Sequence, residues 1–201
     1  MPDFITEPVG LLEVNCYLIP AGQTLYIIDP GADAEIIVRR ARQFDCAERV
    51  ILLTHAHIDH IGAVGAVARA LNIRTVYLHK RDVELYFSPA NALPPWLPPV
   101  QDLPQPDSDF VSEDFEIIET PGHTQGGVCF YFRDRERPVL FAGDTIFAGS
   151  VGRTDLPGGD HRQLIESIRG KLLPLPDELT VYPGHGRPTT IGQEKTANPY
   201  L

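Results

Sequence analysis

Between Thr54 and Ile61 the chain reads THAHIDHI, which sets His55, His57, Asp59 and His60 within six residues. Three imidazoles and a carboxylate at that density cannot all be buried without strong compensating partners. Donors of these types suit divalent transition metals, zinc first, with iron or manganese as alternatives. Alternation along an extended chain puts His55 and His57 on one side. Where the chain turns into a helix, Asp59 and His60 face a second, neighbouring location. One loop thus offers two ligand pairs and points to two adjacent ions. Further donors stand at other expected strand ends: His123 in Pro121-Gly122-His123-Thr124, Asp144 in Gly143-Asp144-Thr145, and His185 in Pro183-Gly184-His185-Gly186. A glycine directly before each lets the backbone come close to the site. His79 and His161 lie outside these motifs and read as ordinary polar residues.

Two divalent ions ~3.5–4 Å apart can share a water, lower its pKa toward neutrality and present hydroxide as a nucleophile. The same ions polarise a carbonyl and stabilise the oxyanion that forms on attack. Asp59 is then placed to orient that hydroxide.

The elements that must carry these residues are legible as patterns. Residues 4–9, 15–19 and 24–29 read as short strands, and Asp33 is positioned to cap a helix over 34–44. The unbroken apolar run 50–53 predicts a strand covered on both faces and ending directly in the histidine cluster. A helix over 61–71 and a strand at 75–78 follow. The second half offers strands at 115–119, 128–132, 139–142 and 179–182, with a helix over 161–173 whose buried face is Leu164, Ile165, Ile168 and Leu172. Two strand-and-helix halves of similar size predict an α/β fold, two mixed sheets packed face to face with helices outside. No linker divides the chain, so residues 1–201 are expected to form a single domain. Ser88 to Pro106 breaks the pattern, with seven prolines in nineteen residues and the only tryptophan, Trp96. It reads either as a rigid surface connection or as an apolar wall over a pocket.

With 43% hydrophobic and 22% charged residues, the 201-residue chain has a globular composition. Its net charge of −10 argues against a nucleic-acid partner, because phosphate neutralisation needs a basic face. Cys16, Cys46 and Cys129 form neither a CxxC pair nor a disulfide framework, which fits a reducing compartment and small buried apolar roles. No signal peptide and no bilayer-spanning stretch is read, so a soluble cytoplasmic protein with no membrane partner is expected.

Taken in order, HxHxDH, PGHT, GDT and PGHG resemble the metallo-β-lactamase superfamily, and within it the short form of glyoxalase II. The resemblance runs from Asn15-Cys16-Tyr17-Leu18 to Asn198-Pro199. It implies an αββα four-layer sandwich with a dinuclear metal site. By motif, His55, His57 and His123 would hold one ion, Asp59, His60 and His185 the other, and Asp144 would bridge them. It further implies hydrolysis of a small-molecule thioester such as an acylglutathione. Full-length glyoxalase II resembles this domain plus a C-terminal helical domain with glutathione contacts, and here sixteen residues follow His185. Arg153 matches a basic family position that meets the glutathione part. Asp155 and Arg187, however, stand where the family has aromatic residues, and Arg153 is also placed to pair with Asp155. The Gly152-Arg153-Thr154-Asp155 stretch resembles persulfide dioxygenases of the superfamily as well. In those, the residues matching His55, His123 and Asp144 hold a single iron. A lactonase, or a metal-stabilised protein without turnover, fits the same ligand set less well. Oligomeric state is not readable from the sequence.

Overall fold

Two five-stranded sheets carry the donors, and the elements run close to the periodicities of the sequence. The computed structural model describes residues 4–92, 95, 97–133 and 136–201; Trp96 lies outside the described residues. The chain divides into two compact units, residues 1–110 and 111–201.

In the first unit the strands are β1 (Ile5–Val9), β2 (Val14–Ala21), β3 (Thr24–Ile28), β4 (Glu48–Leu52) and β5 (Thr75–Tyr77), in that spatial order. β1, β2 and β3 form an antiparallel meander, whereas β3, β4 and β5 are parallel. Parallel pairing requires crossovers, supplied by α1 (Ala34–Ala41) and by α2 (Ile58–Ile61) with α3 (Val64–Leu71). One face of the sheet offers Cys16, Leu18, Leu25, Ile27 and Ile51 to a core that includes Ile37 and Val38 of α1 and Val64 and Val67 of α3. Val50, Ile51, Leu52 and Leu53 are all buried, as an unbroken apolar run requires.

Two expectations change here. The predicted helix over 61–71 is really two pieces, because the backbone leaves helical geometry at Ala63, where it meets the loop after β3. A Cβ on Gly62 would sit 2.3 Å from the Gly31 carbonyl oxygen, and the Ala63 N–H donates to the Pro30 carbonyl at 3.0 Å. Asp33 does occupy the N-cap position of α1, but its side chain caps nothing. Its carboxylate accepts the Gly10 N–H at 2.8 Å instead, tying the β1–β2 turn to the helix start.

The second unit holds β6 (Glu116–Glu119), β7 (Val128–Phe132), β8 (Val139–Gly143), β11 (Thr180–Pro183) and β12 (Thr189–Thr190), in the order β12-β11-β8-β7-β6. Only β8 and β11 are parallel. Between them lie a small hairpin, β9 (Ile146–Phe147) with β10 (Ser150–Val151), and helix α5 (His161–Ser167), which runs into a π-helical turn at Ile168–Leu172. Leu164, Ile168 and Leu172, spaced by four, pack on Cys129, Leu140, Ala142 and Val181. Ile165 is only half-buried. After β12 the chain forms helix α6 (Ile191–Ala197) rather than a plain tail. Its buried Glu194 accepts from the Gly149 N–H at 2.9 Å, the Thr189 hydroxyl at 2.5 Å and the Asn198 amide at 2.8 Å. One short helix, α4 (Val83–Phe87), precedes the proline-rich segment. Among the described residues, no helix is long and apolar enough to cross a membrane.

The cysteines differ in setting. Cys16 and Cys129 are wholly buried, while Cys46 is half-buried, so the expectation of burial holds for two of the three. Burial pushes the Cys129 thiol up to about 11, against hydrogen bonds with Thr120 and Thr145 that pull it down, and burial likewise raises Cys16 well above the usual thiol range. A disulfide reagent, which is attacked by accessible thiolates, should therefore modify Cys46 rapidly in the native protein, and Cys16 and Cys129 only after denaturant is added. Rapid modification of all three in buffer would contradict the packing described.

Candidate metal centre

Parallel strands deliver loops at their C-terminal ends, and both units use those ends for their donors. In the first unit Ile28 of β3 lies in register with Leu52 of β4, so Asp29 leaves its strand beside Leu53 and Thr54. Asp29 has a left-handed φ of 50°, a conformation that Asp tolerates better than most residues. Its buried carboxylate accepts from the Thr54 N–H at 2.8 Å, the Thr54 hydroxyl at 2.6 Å and His60 Nδ1 at 2.9 Å. Since the Thr54 hydroxyl gives its one proton to Asp29, its oxygen is the acceptor for His55 Nδ1, 3.0 Å away.

The same tautomer follows in the second unit. His123 Nδ1 donates to the Arg153 carbonyl at 2.6 Å. In His55, His60 and His123 a proton thus sits on Nδ1, which leaves Nε2, on the far side of the ring, as the atom that can serve a metal. That arrangement is the one an imidazole needs to ligate a metal through Nε2. The rings of His55 and His57 meet edge to face with centroids 4.8 Å apart, and those of His55 and His60 lie 4.1 Å apart. Asp29, His55 and His60 bring one ligand-type atom each within 4.8 Å of one another.

Donor spacings fit ions rather than direct hydrogen bonds. His60 Nε2 stands 3.7 Å from the Asp59 carboxylate, His123 Nε2 stands 3.6 Å from that of Asp144, and His185 Nε2 stands 3.7 Å from the same Asp144 oxygen. Two ligands held about 2.1 Å from one tetrahedral ion are separated by roughly 3.4 Å. Asp144 and His185 are neighbours because β8 and β11 run parallel and end together, with the Gly184 N–H on the Gly143 carbonyl at 2.8 Å. His123 is set by a turn pressed against α5, where a Cβ on Gly122 would lie 2.2 Å from the Leu164 nitrogen.

The first unit thus assembles His55, His57, Asp59 and His60 at one sheet end, and the second unit assembles His123, Asp144 and His185 at another. Arg153 is placed differently from a waiting anion receptor. Its side chain forks onto Asp155 with two contacts of 2.7 Å, and its carbonyl holds His123. Three supporting residues were not read from the sequence. Asp29 and Thr54 fix tautomers, and the buried Asp82 accepts the N–H of Ala56, between His55 and His57, at 3.1 Å. The only signal for them was the position of Asp29, a carboxylate at a predicted strand end followed by Pro30-Gly31. His79 is buried, with its Nδ1 taking the Arg81 N–H, and His161 is exposed at the start of α5.

The model for the metallo-β-lactamase superfamily matches residues 9–185. A hydroxyacylglutathione hydrolase, GloC of Haemophilus influenzae, is 41% identical, the alignment covering 96% of this chain and 95% of that protein. Among solved structures, BLEG-1, described as a B3 metallo-β-lactamase, superposes with a TM-score of 0.87 at 38% identity, covering 98% of this chain and 99% of its own. TTHA1623, solved in a di-iron-bound form, gives 0.88 at 38% identity, covering 98% and 100%.

Hydrogen bonds from Arg153 hold the Asp155 carboxyl down at about 2. The pair therefore supports its loop above the ordinary carboxylate pKa of about 4, and that support is lost as pH falls toward 2. In an Arg153→Ala variant, NMR titration should find the Asp155 carboxyl back near 4. A carboxyl still titrating near 2 would mean that another group holds it.

Proposed function

The chain belongs to the metallo-β-lactamase superfamily and is a metallohydrolase, and from that premise we propose that it hydrolyses a small-molecule thioester at a centre of two divalent cations. The thioester reading is supported by the end-to-end likeness to GloC, named for hydroxyacylglutathione hydrolysis. Zinc heads the choice of metal, because neutral imidazole and carboxylate donors suit it, and iron is kept as the alternative that TTHA1623 exemplifies. His55, His57 and His123 would hold one ion, Asp59, His60 and His185 the other, with Asp144 common to both. The cations would supply a Lewis acid for the carbonyl and lower the pKa of a water between them.

The remaining work falls to the chain. Water adds to the carbonyl carbon, the carbon–sulfur bond breaks, and the products are a carboxylate and a thiol, so no oxidant enters the balance. Asp59, at the first turn of α2, takes part in the ligand set and orients the attacking water. Asp29, Thr54 and the Arg153 carbonyl hold three imidazoles by Nδ1, so that each would present Nε2 to a cation. A thiol leaves as thiolate, and the site needs no separate acid. Arg153 meets Asp155 through Nε and one terminal nitrogen, so a carboxylate from the thiol part would use the other edge of the guanidinium or displace Asp155. Three cysteines outside any disulfide agree with a reducing cytoplasm.

Metal analysis should return about two ions per chain, with thioester cleavage that consumes no oxygen. One iron per chain together with oxygen uptake on glutathione persulfide would overturn the hydrolase reading in favour of a dioxygenase. The Asp144→Ala variant should lose more metal and more turnover than His57→Ala or His185→Ala, since it removes a negative charge from between two cations. If it kept two ions and near-normal kcat, the shared-ligand assignment would be wrong.

A further inference from the structure

The proline-rich segment and the β1–β2 turn meet in the first unit over a cavity of about 220 Å³. Leu11 and Leu12 come from the turn, Leu97 and Val100 from the segment, and Ile58 and Asp59 from the start of α2. Leu11 and Leu12 are 69% and 44% exposed, two adjacent large apolar residues left toward water at the rim. Gly10 of the same turn is anchored through its N–H to Asp33, so the rim is tied to the fold at its base. A dry, apolar cavity of about 150 Å³ already accommodates benzene. The volume here is larger, and Asp59, one of the proposed donors, is among its lining residues.

Resting on the thioester reading above, we propose that this cavity receives the acyl chain of the substrate, and that the enzyme favours apolar acyl groups over short polar ones. The choice between the two ends of the thioester follows from charge. Among the described residues, no lysine or arginine lines the cavity, so the carboxylates of a glutathione-like thiol would lose their hydration there without gaining a partner. A hydroxyacyl group would bring a hydroxyl into a wall made mostly of Leu, Ile, Val and Pro, where it would lose its hydrogen bonds to water. An aliphatic or aromatic acyl chain loses nothing there and is removed from water. Leu97, Pro98 and Val100 thereby give the described part of the proline-rich segment the second of its two readings, an apolar wall over a pocket.

The test compares acetyl-, butyryl-, hexanoyl- and lactoylglutathione on the metal-loaded enzyme. Each buried methylene should raise kcat/KM about fourfold, or roughly fifteenfold from acetyl to butyryl, with lactoyl below butyryl. Val100→Asp should flatten that series. Independently of turnover, hexanol should shift the methyl NMR resonances of Leu11, Leu12, Leu97 and Val100 in the wild-type protein, and shift those of the three leucines far less in Val100→Asp. A flat acyl series with intact cleavage would overturn this inference alone. Absence of all thioester cleavage, with hexanol still shifting those methyls, would overturn the thioester reading and the acyl assignment with it. Methyls that ignore hexanol would show that the cavity takes no apolar group and would end the proposal.

Discussion

The Asp29 carboxylate is the constraint on which the first half of the donor set depends. Three donors converge on it: the Thr54 N–H, the Thr54 hydroxyl and His60 Nδ1. Together they fasten the end of β3 to the end of β4 and to helix α2. A buried carboxylate is expensive to desolvate, and charge-assisted hydrogen bonds of this number are what make it tolerable. The arrangement also transmits information about protons. By claiming the Thr54 hydroxyl hydrogen, Asp29 decides the tautomer of His55, with which it has no direct hydrogen bond. Two imidazoles are therefore oriented by one acid that belongs to neither of their elements.

The second unit solves the same problem with backbone. A peptide carbonyl, that of Arg153, takes the His123 proton, and the Arg153 guanidinium is spent on Asp155 two residues away. The loop is thus pinned from both sides of one residue. Its charge shapes the loop while its carbonyl does the orienting, so a basic residue at this position has a reason to be present that involves no substrate.

Much of the candidate site was legible because groups able to hold a metal must be polar, and imidazoles packed densely after an apolar strand stand out from an ordinary core. The strand cores at 50–53 and 128–132 were equally plain, since continuous burial leaves no alternation to misread. What escaped the sequence was long-range pairing. Asp29 precedes Thr54 by 25 positions, Asp82 follows Ala56 by 26, and Glu194 meets Gly149 across 45. No local period encodes such partners. Boundaries failed for a related reason. The residues at 61–71 have helical spacing throughout, yet tertiary contact with Pro30 and Gly31 interrupts the helix at Ala63. Asp33 has the type and position of a cap, yet its carboxylate found a better donor in Gly10. The expected tail became α6 because Glu194 gains three partners by folding back.

The contact of Gly31 with α2 has a further consequence for how this chain can vary. Side-chain atoms on Gly31 would fall 1.5 Å from the Asp59 carbonyl oxygen, and on Gly62 they would fall 2.3 Å from that of Gly31. Two backbones therefore touch with nothing between them, and no rotamer change can make room. Sequence drift, natural or in a randomised library, is closed at this seam but open a short way off, at Leu11, Leu12, Leu97 and Val100, whose side chains reach the surface. The molecule separates the part that must be inherited unchanged from the part that can be rewritten, and a descendant with new tastes in substrate would carry its changes in the second.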